Sequence, residues 1–130
     1  MVTVVVDGAN VMGSRPDGWW RDRAGAAVRL RDGLARVGTE LTVPGFDGEE
    51  PEWVLVVEGA AKAGFSATEP GPVRVVLASG SGDDAIVEVV RSLSGSRVVV
   101  TADRELRRRC AEAGAAVLGP GWLLGVLAEH

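Results

Sequence analysis

The chain has 130 residues, 46% of them hydrophobic, and a chain of this length buries about two-thirds of the surface that it exposes when unfolded. We therefore expect a single domain over residues 1–130. The net charge of −4 argues against strong sequence-independent binding to DNA, because that affinity comes mainly from neutralising phosphates. One cysteine and one histidine, Cys110 and His130, exclude an intrachain disulfide, a Cys-rich metal site and His-based catalytic triads.

Five short runs of β-branched residues predict strands, at residues 2–6, 53–57, 73–77, 98–101 and 116–118. Most runs are apolar at consecutive positions, which is typical of parallel strands covered on both faces. Apolar residues spaced three and four apart predict helices at residues 20–37, 82–93, 103–113 and 121–129. Segments 39–52 and 64–72, rich in Gly, Pro and acidic residues, are predicted surface loops. This order predicts a layered α/β fold with a mostly parallel central sheet flanked by helices.

Membrane and export signals are not expected in this sequence. No run approaches the ~20 consecutive apolar residues that a membrane span needs, and the N-terminus lacks the pattern of a signal peptide. We therefore expect a cytoplasmic protein with no membrane partner. Cys110 lies within a helical pattern and is expected to be a small packing residue.

Acidic residues follow four of the five predicted strands. They are Asp7 in VVVDGAN, Glu58 in VVEGA, Asp83 and Asp84 in ASGSGDDAIV, and Asp103 in VVVTADREL. Ligands of parallel α/β sheets bind outside the carboxyl ends of the strands. Because those ends lie at one edge of a sheet, we expect the acids to meet there.

Helix geometry separates the acids of the third and fourth strand ends. At roughly 100° per residue, Asp83 and Asp103 lie only roughly 60° from the inward face of their helices. Asp84 lies roughly 160° from Ile86 and should face outward. Asp83 and Asp103 are therefore the favoured ligands of a metal, and Asp84 is a further candidate.

Clustered carboxylates raise one another's pKa unless a positive charge intervenes. A hard divalent cation such as Mg²⁺ or Mn²⁺ takes oxygen ligands and relieves that repulsion. Such an ion activates water and stabilises the charge that develops on a phosphate. The pattern therefore favours metal-assisted hydrolysis of a phosphodiester.

Two uncharged polar residues belong to the same predicted edge. Asn10, three residues after Asp7, has an amide that can hold a water, a second carboxylate or a scissile phosphate. Thr101, two residues before Asp103, can supply a hydroxyl. Both are candidate catalytic residues.

Arginines and tryptophans are the candidate substrate-binding residues. Arginine supplies all but one of the 14 basic side chains, and its planar fork matches phosphate. Arg21, Arg23 and Arg104 are candidates for gripping phosphate oxygens. Trp19 and Trp20 could stack on bases, although anchoring a loop to a helix by buried aromatic area is the alternative use.

Each acid also has a purely structural interpretation. Asp103 could be a helix N-cap, and Ser81 with Asp84 resembles a capping pair. Glu58 could be an ordinary loop acid. Taken together, however, independent caps have no reason to gather at one edge of a sheet, so their joint occurrence favours a metal site.

The segments VVVDGANVMG, VVEG, ASGSGDDAIVEVV and VVVTADREL resemble the successive motifs of the NYN-domain branch of PIN-like nucleases. The resemblance is to its short bacterial single-domain members, and it extends from about Val2 to Leu118. It implies a three-layer Rossmann-like fold, an acidic pocket for Mg²⁺ or Mn²⁺, and endoribonuclease activity.

Carried onto this sequence, the resemblance matches Asp7 to the family's first acid and Asn10 to its amide. Asp83 matches the acid that opens the helix after the third strand, and Asp103 matches the acid of the Thr-x-Asp signature. Glu58 departs from the pattern, because many relatives have Asp at the end of the second strand.

The sequence therefore predicts a metal-dependent phosphodiesterase, most simply an endoribonuclease that cleaves single-stranded RNA. Asp7, Asp83 and Asp103 would hold the metal and Glu58 would assist. The acidity of the chain is unlike that of a strong RNA binder, and RNA binding by a homodimer or by a ribosome-guided enzyme would accommodate it. Two alternatives stay open: a hydrolase of free nucleoside triphosphates, and a catalytically degenerate RNA-binding or regulatory module.

Overall fold

A computed structural model describes residues 1–66 and 70–130 of the chain. Its strands are Val2–Asp7 (β1), Pro51–Val57 (β2), Val73–Leu77 (β3), Ser96–Val100 (β4) and Ala116–Leu118 (β5). They form one sheet in the order β3-β2-β1-β4-β5, and each neighbouring pair is parallel. The predicted α/β fold class is confirmed, and β1 lies at its centre.

The α-helices are Gly8–Gly13 (α1), Arg23–Val37 (α2), Gly82–Ser92 (α3), Arg104–Glu112 (α4) and Pro120–Ala128 (α5). Short 3₁₀ helices occupy Trp19–Arg21 and Gly59–Gly64. The four predicted helices are present. The predicted start of the first at residue 20 was wrong, because Asp22 caps α2 by accepting a hydrogen bond from the Gly25 N–H at 2.9 Å.

Helix α1 was not predicted. With six residues and a glycine at each end, it is too short to display the 3.6-residue period on which the other predictions rest. It forms because the Asp7 side chain caps its first turn, so that the chain turns directly from the central strand into a helix.

The strand side chains divide the core into two layers. Val4, Val6 and Leu55 pack on the side of α1, α2 and α5, whereas Val5 and Val99 pack against α3 and α4. This alternation follows from the two-residue period of a strand. Helices thus cover both faces of the sheet, which explains the consecutive apolar residues that predicted it.

The two predicted loops are only partly accounted for. Segment 39–52 loses its last two residues to β2, which begins at Pro51. Within segment 64–72, residues 67–69 lie outside the described residues.

Trp53 and Cys110 are both buried packing residues. The Trp53 ring is 2% exposed, and its Nε1–H donates to the Gly38 carbonyl at 2.8 Å. Cys110, on the inward face of α4, is fully buried, as predicted. In the part of the chain that the structure describes, no helix has both the length and the apolar character needed to cross a membrane.

Gly8 allows α1 to leave the sheet against β2. A Cβ atom at this position would lie 2.6 Å from the Val56 carbonyl oxygen, which belongs to the backbone of the neighbouring strand. We expect Gly8→Ala to lower the free energy of unfolding by about 1–3 kcal/mol, because the sheet must shift to relieve the clash. Urea denaturation measures the change.

Gly125→Ala in α5 is the matched control, because nothing lies within 4 Å of the Cβ atom that it adds. That variant should gain about 0.8–1.0 kcal/mol from helix propensity. Equal effects of the two substitutions would contradict the proposed close approach at Gly8.

Candidate active site

Asp7 ends the central strand and is only 6% exposed. One carboxylate oxygen, Oδ2, accepts a hydrogen bond from the Thr101 hydroxyl at 2.9 Å. The other, Oδ1, accepts from the Asn10 backbone N–H at 3.3 Å. Buried carboxylates need hydrogen bonds to stay charged, and these two bonds explain how an acid can follow five buried residues of a strand.

The Thr101 side chain links the end of β1 to the start of α4 through two hydrogen bonds. Its hydroxyl, which is fully buried, donates to Asp7 and accepts a hydrogen bond from the Asp103 backbone N–H at 3.2 Å. The only proton of the hydroxyl is therefore committed to Asp7. Thr101 acts on the site through the position and charge of Asp7.

Asn10 fastens α1 to the loop after β4. Its side-chain Oδ1 accepts a hydrogen bond from the Ala102 backbone N–H at 2.8 Å. Because the Ala102 N–H can only donate, the atom of the Asn10 amide that faces it must be the oxygen, which fixes the orientation of the amide. The Nδ2 donors of Asn10 are left for other partners. The structure thus brings Asn10, Thr101 and Asp7 together, as predicted.

Glu58 reaches across from the end of β2 to the first turn of α3. Its Oε2 accepts a hydrogen bond from the Gly82 backbone N–H at 2.7 Å. A Cβ atom on Gly82 would lie 2.9–3.1 Å from the Glu58 carboxylate, so only glycine allows this approach. Sequence reasoning missed Gly82 as a site residue, although the Gly-Ser run before Asp83 is the signal that could have revealed it.

The capping interpretations of the sequence are correct for α3 and α4. Asp103 Oδ1 accepts from the Leu106 N–H at 2.9 Å, and the Ser81 hydroxyl accepts from the Asp84 N–H at 3.2 Å. A cap occupies only one of the two Asp103 oxygens, so capping and metal binding do not exclude each other. The Asp84 side chain is 75% exposed and bonded to Arg109 at 2.9 Å, which agrees with its predicted outward direction.

The acids at this edge of the sheet influence one another's charge. Burial raises the pKa of Asp7, the bonds from Thr101 and Asn10 oppose that rise, and the charges of Asp83 and Glu58 add to it. Burial also raises the pKa of Asp83, and the charges of Asp103 and Glu58 raise it further against the opposing Arg109. Carboxylates from four strand ends therefore form one electrostatic neighbourhood, which we call the acidic edge.

The acidic edge is not a ready-made metal cage. Within residues 1–66 and 70–130, no three Asp, Glu, His or Cys side chains are placed to hold one ion together. The donor chemistry nevertheless suits a hard cation, because the groups are carboxylates, and because burial and then the neighbouring acids raise the pKa values of Asp7 and Asp83. Asp83 is half-buried and interacts electrostatically with Asp103 and Glu58, which come from two other strand ends.

Cys110 lies below the acidic edge and takes no part in it. Burial raises the pKa of its thiol to about 11, with a smaller contribution from the charges of Asp7 and Asp83. The thiol therefore stays protonated at neutral pH, as expected of a packing residue.

The predicted aromatic and basic residues lie around the far end of α1. The rings of Trp19 and Trp20 meet edge to face, with their centroids 6.2 Å apart. Arg23 lies 5.3 Å from the Trp19 ring and Arg21 lies 5.8 Å from the Trp20 ring. Trp19 packs against the core and is an anchor, whereas Trp20 is 54% exposed. Arg104, also exposed, is the first residue of α4 beside Asp103.

Comparison with solved structures identifies the fold. The chain superimposes on the crystal structure of a mutant of Rae1 (YacP) from Bacillus subtilis with a TM-score of 0.71, over 98% of this chain and 74% of that one. The chain has a PIN-like/NYN fold. At 17% sequence identity, this PIN-like similarity concerns the fold alone. No family model matches the sequence, and neither does any curated protein.

Thr101→Val tests the hydrogen bond that holds Asp7. Because that bond favours the charged carboxylate, its loss should raise the pKa of Asp7 further. NMR titration of the Asp7 carboxyl carbon measures this shift. Thr3→Val, at the opposite end of β1, is the matched control and should leave the titration of Asp7 unchanged. An unchanged pKa in Thr101→Val would show that the bond does not stabilise the charge.

Asp7→Asn tests the cost of the buried charge. The pKa of Asp7 is higher in the folded chain than its ordinary value of 3.8, so the folded state binds the proton more tightly. The resulting destabilisation is absent below that value and becomes complete as the pH rises above the folded pKa. The stability of Asp7→Asn relative to the parent should therefore increase between pH 4 and pH 7, as measured by urea denaturation. A difference that stays constant with pH would contradict this prediction.

Proposed function

We propose that the chain is a metal-dependent phosphodiesterase and, within that class, an endoribonuclease that cleaves single-stranded RNA. One observation carries the proposal: Asp7 is buried at the end of the central strand, in electrostatic contact with Glu58 and Asp83 from two other strand ends. A divalent cation at that position would offset the repulsion between these like charges. The PIN-like fold and the motif resemblance support nuclease chemistry at that position.

In this proposal, Asp7, Asp83 and Asp103 hold Mg²⁺ or Mn²⁺, Glu58 assists, and Asp84 is an outer candidate. When bound, such an ion lowers the pKa of a water towards ~7 and stabilises the charge on a phosphate. The protein's own contribution is to fix the acids: Thr101 keeps Asp7 charged and oriented, and the Gly82 N–H holds Glu58.

Substrate binding would use groups of the acidic edge together with the aromatic and basic residues around the far end of α1. The Nδ2 donors of Asn10 would contact the attacking water or a phosphate oxygen, because its Oδ1 is occupied by Ala102. Arg104, Arg21 and Arg23 would bind phosphates of the strand. Trp20 is the exposed ring on which a base would stack, and Trp19 would support it. A cytoplasmic setting and a single domain over residues 1–130 belong to the same proposal.

Asp7→Asn and Asp103→Asn should each reduce metal-dependent RNA cleavage by roughly 100-fold or more, since even the loss of a partner behind a metal ligand costs up to that much. Asparagine also caps helices well, so Asp103→Asn should keep α4 intact. The measurement is cleavage of mixed single-stranded RNAs with Mn²⁺ and with EDTA. Asp47→Asn, an exposed change in the loop before β2, is the charge-matched control.

The same experiment separates the alternative functions. Turnover of nucleoside triphosphates without RNA cleavage would identify a nucleotide hydrolase. A degenerate module would show neither activity, and its melting temperature would not respond to Mn²⁺. If the site binds Mn²⁺, a Mn²⁺ concentration of 100 times its Kd should instead raise the free energy of unfolding by about 2.7 kcal/mol. Asp7→Asn should lose that stabilisation.

A further inference from the structure

A cavity of about 290 Å³ lies on the outer face of the layer formed by α1, α2 and α5, apart from the acidic edge. We call it the arginine cavity. Its lining residues are Arg15, Arg29, Asp32, Gly33, Arg36 and Leu127. The volume is many times the ~30 Å³ that one water occupies in the liquid, so the cavity has room for a ligand larger than water.

The three arginines of the cavity lack acidic partners within the described residues. The ion pairs found among the described residues are made by other basic groups, namely the N-terminus, Arg31, Arg108 and Arg109. Asp32, the one acid of the lining, has its carboxylate bonded to Arg31 at 3.0 Å. Three guanidinium groups thus converge on one cavity of a protein whose net charge is −4. Such a concentration of unpaired positive charge suits an anionic ligand.

The shape of the cavity follows from its position on α2. Arg29 and Arg36 are seven residues apart, two helical turns, and therefore lie on the same face at about 10 Å spacing along the axis. Gly33 lies between them, and because it has no Cβ atom the Leu127 Cδ2 methyl can pack closely over it, 3.0 Å from the position that a Cβ atom would take. The cavity is thus a shallow site with two separated guanidinium groups along its length and Arg15, half-buried, at its side.

We propose that the arginine cavity binds backbone phosphates of the single-stranded RNA substrate, which makes it an anchor distinct from the acidic edge. This inference rests on the proposed function for the identity of the ligand. The physical reason is that the acidic edge repels a polyanion, whereas guanidinium forks pair with phosphate oxygens. A second site of positive charge would supply the affinity that the acids cannot.

The test is binding of a fluorescent single-stranded RNA of mixed sequence, measured by anisotropy at several salt concentrations in EDTA. The double variant Arg29→Gln/Arg36→Gln should weaken binding about tenfold or more. It should also reduce the slope of log K against log salt by roughly 1.4, about 0.7 for each lost contact with a single strand. Arg29→Lys/Arg36→Lys retains both charges and should retain the slope.

Arg91→Gln is the matched control, because it removes an exposed arginine from α3 on the other side of the sheet. Binding that is unchanged in the Arg29→Gln/Arg36→Gln variant, or weakened equally by Arg91→Gln, would overturn the proposal. Displacement of the RNA by inorganic phosphate at an equal concentration of phosphate groups would also overturn it, since the site would then prefer a small anion.

Failure of the two proposals can be told apart. A parent protein that binds RNA through the arginine cavity but does not cleave it with Mn²⁺ would support the anchor and reject the nuclease. A parent that cleaves RNA while the double variant binds and cleaves equally well would support the nuclease and reject the anchor.

Discussion

The hydrogen bond from Thr101 to Asp7 is the interaction on which the rest of the site depends. A carboxylate at the end of the central strand loses most of its hydration, and burial is the largest influence that raises its pKa. The Thr101 hydroxyl and the Asn10 N–H oppose that cost, and both come from segments that begin where β4 and β1 end. The same hydroxyl accepts from the Asp103 N–H, so the geometry of the first acid sets that of the last. One buried hydroxyl therefore links two strand ends that are 94 residues apart in sequence.

The strand order explains why these residues meet. With β1 central and β4 beside it, Asp7 and Thr101 follow neighbouring strands, and side-chain alternation turns both towards the layer of α3 and α4. On the other side of β1, Glu58 follows β2 and lies at the N-terminus of α3. There it accepts a hydrogen bond from the Gly82 backbone N–H, and the lack of a Cβ atom on Gly82 leaves room for its carboxylate. The carboxyl ends of parallel strands lie at the same edge of the sheet, and the helices that follow the strands begin at that edge.

Much of this arrangement could be predicted from residues alone, for a physical reason. Consecutive apolar residues in most of the five short runs indicate cover on both faces, and this predicts both the parallel sheet and the edge at which the acids appear. The alternation that gives Thr101 its bond to Asp7 could not be predicted, because it depends on which strand lies beside β1. The same is true of the contact between Gly82 and Glu58, which joins residues that share no local pattern. Helix α1 escaped prediction because six residues carry too little periodicity.

Charges of one sign gather at two places in this molecule, the acids at the acidic edge and three arginines at the arginine cavity. At the acidic edge, burial and then the charges of neighbouring acids raise the pKa values of Asp7 and Asp83, and Arg109, which opposes that rise at Asp83, also pairs with Asp84. Across the sheet, Arg15, Arg29 and Arg36 line a cavity with little acid to neutralise them. If the acids and arginines had been interleaved, they would have formed surface ion pairs, which contribute little to stability. In the proposed function, a cation would bind at the acidic edge and an anion in the arginine cavity, and a phosphodiester with its metal ion would supply both.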